Sequence, residues 1–557
     1  MRKLLLTTVV LTAGCTAATQ PQPGSTRGTG EPTAMTAQAV TTTTTTTTTG
    51  DPDGENPNGK LPRPRWVTPH GGDSGGGGGG GTGTGGATPG WQPLTNFASF
   101  IAGTSLLLTD GSVMVQDILS SDWWKLTPDA TGNYVDGTWT QLASAPDGYQ
   151  PLYFASAVLP DGRVIIEGGE YQALNPTWQT TGAIYDPRTD TWTTVAPPTG
   201  WYTIGDAQSI VLPDGRFYLA DCCSTNAATL DPRSLTWTAF GSGKADINDE
   251  EGWTLLPSGD LLTVDANNVA DLQHTELFKP RSGTWSSAGD TPDLLADLAA
   301  DYSGSHELGP TLLRPDGTAF AVGATGHSAI YHTQSGRWTA GPDFPNVAGE
   351  GQLDTADGPA ALLPNGHALV ASSWGVFNWP LHMFDFDGRN LTEIATPPGG
   401  VWDSSYNTTL LVLPSGQILF TDFSNDVEIY TPPGKADREW APSIDESCGL
   451  ERLQPGQTYT LSGRQLNGLS QGSAYGDDAQ QATNYPLVRI TNRATGHVVY
   501  ARTHDRTYAG VAPHARSSTS FDVPAGTEPG DSTLVVVANG IASDPVEVQV
   551  RGAVQRR

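Results

Sequence analysis

The chain has 557 residues, more than one ordinary domain uses, so several folded units are expected. Glycine (67 residues) and proline (42) are frequent while charged residues make up only 16%, which favours turn-rich β structure over helical bundles. The formal net charge of −29 repels phosphate backbones, so we expect no nucleic-acid partner. After the N-terminus, no apolar run reaches the roughly 18 residues that a membrane-spanning helix needs.

The N-terminus has the features of an export signal. Arg2 and Lys3 precede an apolar stretch that starts at Leu4, and an Ala-Gly-Cys sequence ends at Cys15. A segment of this kind is too short to remain as a membrane span. It resembles a bacterial lipobox, which implies a signal peptide over 1–14 and lipid on Cys15. An ordinary secretory signal with a chance cysteine is the alternative. We therefore predict a protein of the bacterial cell envelope, facing the surface or the periplasm, that touches the membrane only through Cys15.

Residues 15–89 are composed mainly of Thr, Gly and Pro. The segment contains nine consecutive threonines (41–49) and seven consecutive glycines (75–81). Such a composition buries too little apolar surface to offset the entropy of an ordered chain. We predict a disordered stalk that holds the remaining domains away from the membrane.

A repeat of about fifty residues follows the stalk. Each unit has a β-rich run, a turn of the Pro-Asp-Gly type and a second β-rich run, and seven units succeed one another at spacings of 44 to 58 residues. The residues directly before the polar turn residue are Thr109, Pro160, Pro213, Pro257, Pro315, Pro364 and Pro414.

A third and a fourth strand complete each unit, and a tryptophan recurs near the end of most units. Alternating aromatic, β-branched and polar residues between Gly, Pro and Asp turns predict four short antiparallel strands per unit. Units of this length stack radially, so we predict an all-β chain with a seven-bladed β-propeller over 90–441. The segment 90–94 is a spare fourth strand that closes the ring. Strands spaced over 442–557 predict an immunoglobulin-like (E-set) β-sandwich.

The repeat resembles the kelch family of β-propellers. Only Gly168-Gly169 keeps the double glycine typical of kelch units, so the likeness is closer in architecture than in sequence. A seven-unit kelch ring followed by a sandwich resembles the galactose oxidase and glyoxal oxidase family. That resemblance implies a copper ion held by two tyrosines and two histidines, with one tyrosine cross-linked to a cysteine.

The copper ligands implied by the resemblance are mostly replaced in this chain. Tyr406 stands where the axial tyrosine belongs, but Asn407 follows it in place of histidine, and Asp206 stands at the position of the radical tyrosine. No cysteine lies near Tyr153, where the cross-link partner would be. The last histidine corresponds to His504. We therefore expect no copper-radical chemistry and no bound cofactor.

Residues eight or nine positions before the turns start the innermost strands, and in a propeller they converge on one mouth of the central channel. Carboxylates that share an axis raise each other's pKa unless a cation lies among them. Three readings stay open: Arg502 and Arg506 plug the channel and pair with the acids, Ca²⁺ binds there, or an external ligand does. The predicted channel-mouth group consists of Tyr153, Asp206, Glu250, Glu307, Asp357, Tyr406, Asn407 and His504.

The chain has four cysteines, at 15, 222, 223 and 448. Cys222 and Cys223 are candidates for a disulfide bond in an oxidising compartment, although adjacent cysteines need a strained turn to join. A bridge to Cys448, two buried thiols, or metal binding are the alternatives. The absence of a CxxC motif argues against structural zinc.

The sequence thus predicts a monomeric, lipid-anchored propeller that binds a glycan or a surface protein. The alternative is an extracellular carbohydrate-active enzyme, either a divergent oxidase or a hydrolase with two carboxylates. A passive envelope scaffold is the third reading.

Overall fold

The computed structural model describes residues 65–66, 89–297, 307–445, 449–476 and 481–552. The signal peptide, Cys15 and nearly all of the predicted stalk lie outside these ranges. The described part is all-β, and its helical turns are short 3-10 segments at Pro146–Gly148, Gly400–Trp402, Ser405–Asn407 and Arg438–Trp440. No helix in the described part is long and apolar enough to cross a membrane.

Seven antiparallel sheets lie between Gly90 and Thr431 in the described part, each with four strands from this range, and one of them gains a fifth strand from Ser473–Ala474. We number them by their place along the chain. Sheets 1 to 3 contain Ala102–Leu107, Val113–Asp117, Trp123–Thr127 and Thr138–Gln141; Ala155–Val158, Val164–Glu167, Gly182–Asp186 and Thr191–Val195; Ser209–Val211, Phe217–Ala220, Ala227–Asp231 and Thr236–Ala239.

The remaining sheets follow the same order, except that the last borrows a strand from the start of the domain. Sheets 4 to 7 contain Thr254–Leu255, Leu261–Val264, His274–Lys279 and Thr284–Asp290; Leu308–Leu313, Thr318–Gly323, Ser328–His332 and Arg337–Ala340; Ala360–Leu362, Ala368–Ser372, His382–Phe386 and Leu391–Ile394; Thr409–Val412, Ile418–Thr421, Glu428–Thr431 and Gly90–Pro93. Short pairs also form between Pro151–Leu152, Tyr171–Gln172 and Asn175–Pro176, and between Asn346–Val347 and Gly351–Gln352.

The repeated turn joins the first and second strands of each sheet. A hydrogen bond from a backbone N–H to the side chain two residues earlier stabilises it. The Asp161 carboxylate accepts a hydrogen bond from the backbone N–H of Arg163 at 3.1 Å, and Gly162 between them has a φ of 85°. A side-chain acceptor two residues back fixes the turn, and glycine adopts the positive φ without a steric cost. Asp110, Asp214 and Asp316 make the same bond in their sheets.

The first strands of neighbouring sheets pack against each other in a propeller-like arrangement. The first strand of sheet 7 contacts that of sheet 1, so the last sheet returns to the first. Gly90–Pro93 pairs antiparallel with Glu428–Thr431, which confirms the predicted closing strand. The first and the last strands of the ring, in sequence order, are thereby joined within one sheet.

Tryptophans of the outer strands bind the preceding sheet. The indole N–H groups of Trp139, Trp192 and Trp237 donate to the carbonyls of Asn96, Ala143 and Ala196 at 2.9, 2.8 and 2.7 Å. These contacts confirm that the recurring tryptophans pack between sheets. In sheet 7 the corresponding tryptophan of the outer strand is Trp91, whereas Trp440 lies in the 3-10 turn after the sheet.

Strands of the C-terminal part form a second region with its own core. Val498–His504 pairs through its first residues with Leu487–Asn492 and through its last residues with Arg516–Asp522, so one strand links the two halves of the region. Leu461, Val488 and Phe521 are buried in its core. The other strands are Ser443–Ile444, Arg452–Leu453, Thr458–Arg464, Gly530–Ala538, Ile541–Ala542 and Val546–Val550.

A segment of the C-terminal region enters the centre of the ring. Ser473–Ala474 pairs with the inner edge of sheet 6, and the Gln471 side chain accepts from the backbone N–H of Leu255 in sheet 4 at 2.7 Å. The hydroxyls of Tyr475 and Tyr485 donate to the carbonyls of Tyr406 and Leu107. Residues 471–476 and 481–485 therefore fill the inner space that the first strands surround.

We expect Trp91→Ala to destabilise the propeller because it weakens the closing strand. The Trp91 ring lies 4.9 Å from that of Tyr430 between centroids, and its N–H donates to Ala395 at 2.6 Å. The loss should be about 2–3 kcal/mol, measured by denaturant unfolding. Trp402→Ala, at a residue that is 68% exposed, is the control and should stay within about 0.5 kcal/mol of the parent. Equal effects of the two substitutions would contradict a closing role.

Candidate functional site

One side of the ring collects the loops that carry the predicted site residues. In each sheet the loop before the first strand and the loop between the second and third strands lie at the same end, because neighbouring strands are antiparallel. We call this side the mouth face. The repeated Asp-Gly turns lie on the opposite side, which we call the turn face.

Two tyrosines from different sheets stack at the mouth face. The rings of Tyr153 and Tyr406 lie 6.2 Å apart with an interplanar angle of 29°. Tyr171 and Phe423 pack edge-on against Tyr153 at 6.1 and 6.4 Å, and Phe377 packs edge-on against Tyr406 at 5.1 Å. Since Phe377 is 38% exposed and Tyr406 only 8%, the aromatic group leads from solvent into the ring.

Carboxylates surround this aromatic group. Burial raises the pKa of Tyr153 and Tyr406 well above that of an ordinary phenol, and the charge of Asp357 raises both pKa values further. Glu170 acts in the same direction on both tyrosines, and Asp206 does so on Tyr171. The phenols therefore remain protonated at neutral pH and are available as hydrogen-bond donors.

Some residues that precede the first strands lie in the left-handed region. Tyr153, Glu250 and Asp357 have φ values of 48°, 58° and 48° and stand before the first strands of sheets 2, 4 and 6. A non-glycine residue in this region costs about 1 kcal/mol or more, and such strain is concentrated at functional sites.

Exposed aromatic side chains line the rim of the mouth face. Trp379 is 55% and Trp402 68% exposed, and Trp374 lies on the same loop as Trp379. The buried Asp354 carboxylate holds this loop by accepting from the backbone N–H of Gly375 at 2.8 Å. Burial raises the pKa of Asp354 to about 7. The rim thus offers apolar ring faces beside the buried tyrosines.

Glu307 lies directly before the first strand of sheet 5, and Glu250 lies in the turn that precedes the first strand of sheet 4. Glu307 is only 6% exposed, whereas Glu250 is partly exposed. The carboxylate charges that raise the pKa values of Tyr153, Tyr406 and Tyr171 come from Asp357, Glu170 and Asp206. That Glu250 and Glu307 belong to the same group stays a prediction.

The two predicted plug arginines bind the turn face, so the prediction that they pair with the mouth acids is wrong. Arg506 donates to the carbonyls of Leu159 and Val158 at 3.2 and 2.9 Å, and Arg502 forms an ion pair with Asp522 at 2.8 Å. Leu159 and Val158 end the first strand of sheet 2, and the acids lie at strand starts. The plug is instead the 471–485 segment.

His504 and Asn407 bind neighbours of their own. The His504 ring lies 2.8 Å from the Asp505 carboxylate and 3.3 Å from that of Asp522, within the C-terminal region. The Asn407 side-chain oxygen accepts from the backbone N–H of Ser404 at 3.0 Å and caps a 3-10 turn. The structure therefore uses Asn407 as a backbone cap beside Tyr406 and keeps His504 in an ion-pair group.

Cys222 and Cys223 are thiols in the structure, so the predicted disulfide between them is not formed. Both follow the second strand of sheet 3 in a turn of the mouth face, and a hydrogen bond joins the two side chains. Cys448 lies outside the described residues.

Sequence reasoning missed an arginine of the predicted stalk. Arg65 forms a bridge with Ser424, and its guanidinium binds the buried carboxylates of Asp403 and Asp422. Its Nη1 also donates to the carbonyl of Gly399 at 2.7 Å. At this point the predicted stalk is attached to sheet 7. A single arginine within a Pro-rich stretch gives no signal that would predict such a contact.

Sequence reasoning also missed two buried glutamates. Both carboxylate oxygens of Glu167 and of Glu428 lack a hydrogen-bond partner within the described residues, and neither side chain is more than 1% exposed. Burial raises the pKa of Glu428 to about 9, with a further contribution from Asp422. An acid among the apolar residues of a second or third strand is the signal that could have revealed them.

We expect the protein to lose stability as pH rises from about 5 to 9. The folded chain keeps the Glu428 proton up to a pKa of about 9, while the unfolded chain releases it near the ordinary value of 4.5, so folding is favoured at the acidic end of this window. Glu428→Gln should therefore raise Tm at pH 8 by roughly 3–5 °C and change it little at pH 4.

Thermal unfolding of both proteins across this pH range measures the effect. Glu547→Gln is the control, since this side chain is 61% exposed and its ion pair with Arg493 lies at the surface. A pH profile of Glu428→Gln that is parallel to the parent profile would show that Glu428 does not hold its proton.

Part of the chain is similar to a curated kelch-like protein. No family model matches the chain. Over 128 residues the chain is 34% identical to the Kelch-like protein terF of Aspergillus terreus. The matched stretch covers 22% of this chain and 26%, about a quarter, of that relative. A fungal alcohol oxidase of the AA5 family in complex with copper aligns with a TM-score of 0.46 and 14% identity over 83% of this chain and 100% of that chain. A streptogramin B lyase aligns with a TM-score of 0.43 and 11% identity over 61% of this chain and 97% of that chain.

Proposed function

We propose that the chain is a lipid-anchored binding module of the bacterial cell envelope. In this proposal sheets 1 to 7 are the blades of a seven-bladed kelch-type propeller, and the C-terminal region is an immunoglobulin-like sandwich that supplies the central plug. Cys15 carries the lipid and residues 16–89 form the stalk. The ligand is a glycan that binds at the mouth face.

The aromatic rim beside the stacked tyrosines is the observation that carries this proposal. Sugars bind through two kinds of contact: their C–H faces pack on aromatic rings, and their hydroxyls bind carboxylates and phenols. Trp379 and Phe377 offer exposed rings, and Asp357 lies beside the protonated phenols of Tyr153 and Tyr406. A polyhydroxylated, uncharged ligand fits this combination because the surrounding carboxylates repel anions.

Copper-radical oxidation forms no part of the proposed function. The side chains described around Tyr406 are aromatic rings and carboxylates, and Asn407 binds the backbone at the place where the resemblance implies an imidazole. His504 has carboxylate neighbours in its own region. Copper with radical chemistry needs imidazole and phenolate donors together, and these residues do not fit that set. Binding of Ca²⁺ at the mouth carboxylates stays a prediction.

A carbohydrate hydrolase is the second candidate function. Asp357 and Glu170 come from different sheets and act on the same two tyrosines. A pair of carboxylates is the residue set that glycoside hydrolases use as acid and base. This function predicts that a bound oligosaccharide is cleaved and that Asp357→Asn abolishes cleavage.

We expect glycan binding to depend on the rim aromatics. After a glycan array has identified a ligand, Phe377→Ala and Trp379→Ala should each weaken its affinity by at least about tenfold, which corresponds to about 1.4 kcal/mol, in isothermal titration calorimetry. Trp237→Ala removes an aromatic ring from an outer strand and should leave the affinity unchanged. Retention of full affinity in both rim variants, or failure of every glycan to bind, would exclude this function.

We expect the purified protein to show no copper-dependent alcohol or aldehyde oxidation. Incubation with Cu²⁺ followed by desalting should leave no stoichiometric copper and no tyrosyl-radical absorption, because the donors around Tyr406 do not match that chemistry. Metal analysis by mass spectrometry and hydrogen peroxide release with alcohol substrates are the measurements. One bound copper per chain together with peroxide release would contradict this prediction and indicate an oxidase.

A further inference from the structure

A turn with two adjacent thiols faces a carboxylate of the next link at the mouth face. Cys222 and Cys223 lie in the turn after Phe217–Ala220 in sheet 3, and Asp249 lies in the link that leads to sheet 4. One ligand atom from each residue, the two Sγ atoms and a carboxylate oxygen, lies within 4.8 Å of the others. Cys222 is buried, while Cys223 and Asp249 are partly exposed.

Hydrogen bonds fix this arrangement on both sides. The Asn248 side chain donates to the carbonyls of Ser224 and Asn226 at 2.7 and 3.0 Å, and its backbone N–H also donates to Ser224 at 3.0 Å. The Gln208 side chain donates to the Asn248 carbonyl at 2.7 Å. Because Asn248 is held against the turn, the backbone of the following residue, Asp249, is held close to the thiols.

The geometry points to a metal site. We propose that Cys222, Cys223 and Asp249 bind one thiophilic divalent ion of the Zn²⁺ type. Zinc binds thiolate sulfur at about 2.3 Å and carboxylate oxygen at about 2.0–2.2 Å, so the sulfurs of a tetrahedral site lie about 3.8 Å apart. The observed spacing needs only a small closure of the donors to reach this value. Three protein ligands leave a fourth position, and the partly exposed Cys223 gives the ion a path from solvent.

A second group of donors at the mouth face already contains a cation, which is a lysine of the chain itself. Asp246, Asp265 and Glu276 also lie within 4.8 Å of one another, but the Lys244 ammonium lies 2.6 Å from Asp246 and 3.0 Å from Glu276. The chain itself provides the cation there, and Glu251 adds a fourth carboxylate at 2.9 Å. That group is a buried ion-pair network and does not require a metal.

Cobalt substitution tests the proposal on the full-length protein. Reduced protein titrated with Co²⁺ should bind one equivalent and develop thiolate-to-cobalt charge-transfer absorption, and Zn²⁺ should displace the cobalt. Two of the chain's thiols should become unreactive toward a thiol reagent when Zn²⁺ is present. Cys223→Ser should reduce the charge-transfer band by at least about half, because only Cys222 remains as a thiolate ligand, and Asp249→Asn should weaken Co²⁺ binding by about tenfold or more.

Two controls separate metal binding from loss of folding. Cys448→Ser removes a thiol elsewhere in the chain and should leave the cobalt spectrum unchanged. Circular dichroism of Cys223→Ser should match that of the parent, because Cys223 is partly exposed and is not part of the core strands. Absence of a thiolate band in the parent protein, or its persistence at full intensity in Cys223→Ser, would overturn the proposal. Oxidation of the thiols to a disulfide that forms as readily with Zn²⁺ present as without it would also overturn it.

Discussion

The structure depends on one constraint: the backbone groups on the inner edges of the first strands need hydrogen-bond partners. A ring of sheets leaves these edges facing a common centre, and buried N–H and C=O groups must find partners there. The segment 471–485 supplies them: Ser473–Ala474 pairs with sheet 6, Gln471 accepts from Leu255, and Tyr485 donates to Leu107. The C-terminal region is thus a structural part of the ring and not an attachment to its side.

Filling of the centre determines where a ligand can bind. Because chain atoms occupy the inner space, recognition must take place at the mouth face or the turn face. At the turn face, Arg506 of the C-terminal region binds the end of the first strand of sheet 2. The mouth face keeps the exposed Trp379 and Trp402. Exposed aromatic rings on this side favour it as the functional one.

The sequence predicts those parts of the structure that repeat. The Asp-Gly turns and the alternation of apolar residues place every first and second strand, and the spare Gly90–Pro93 strand follows from counting strands in the last unit. Predictions that depended on a single long-range contact were less successful. Arg506 was assigned to the acids because opposite charges attract, but strand direction places it at the far ends of those strands. Arg65 could not be predicted, since its partners Asp403 and Asp422 are more than three hundred positions away.

Two parts of the mouth face are closed by ion pairs within the chain. Lys244 and Arg65 are basic side chains placed directly between buried carboxylates, where each is a counterion that the chain supplies itself. The stacked tyrosines have a different chemistry. Burial and the charge of Asp357 raise the pKa of Tyr153 and Tyr406, so both phenols stay protonated. A protonated phenol carries no charge and donates one hydrogen bond, which a hydroxyl group of a ligand can accept. These donors therefore agree with the proposed binding of an uncharged polyhydroxylated ligand at this part of the face.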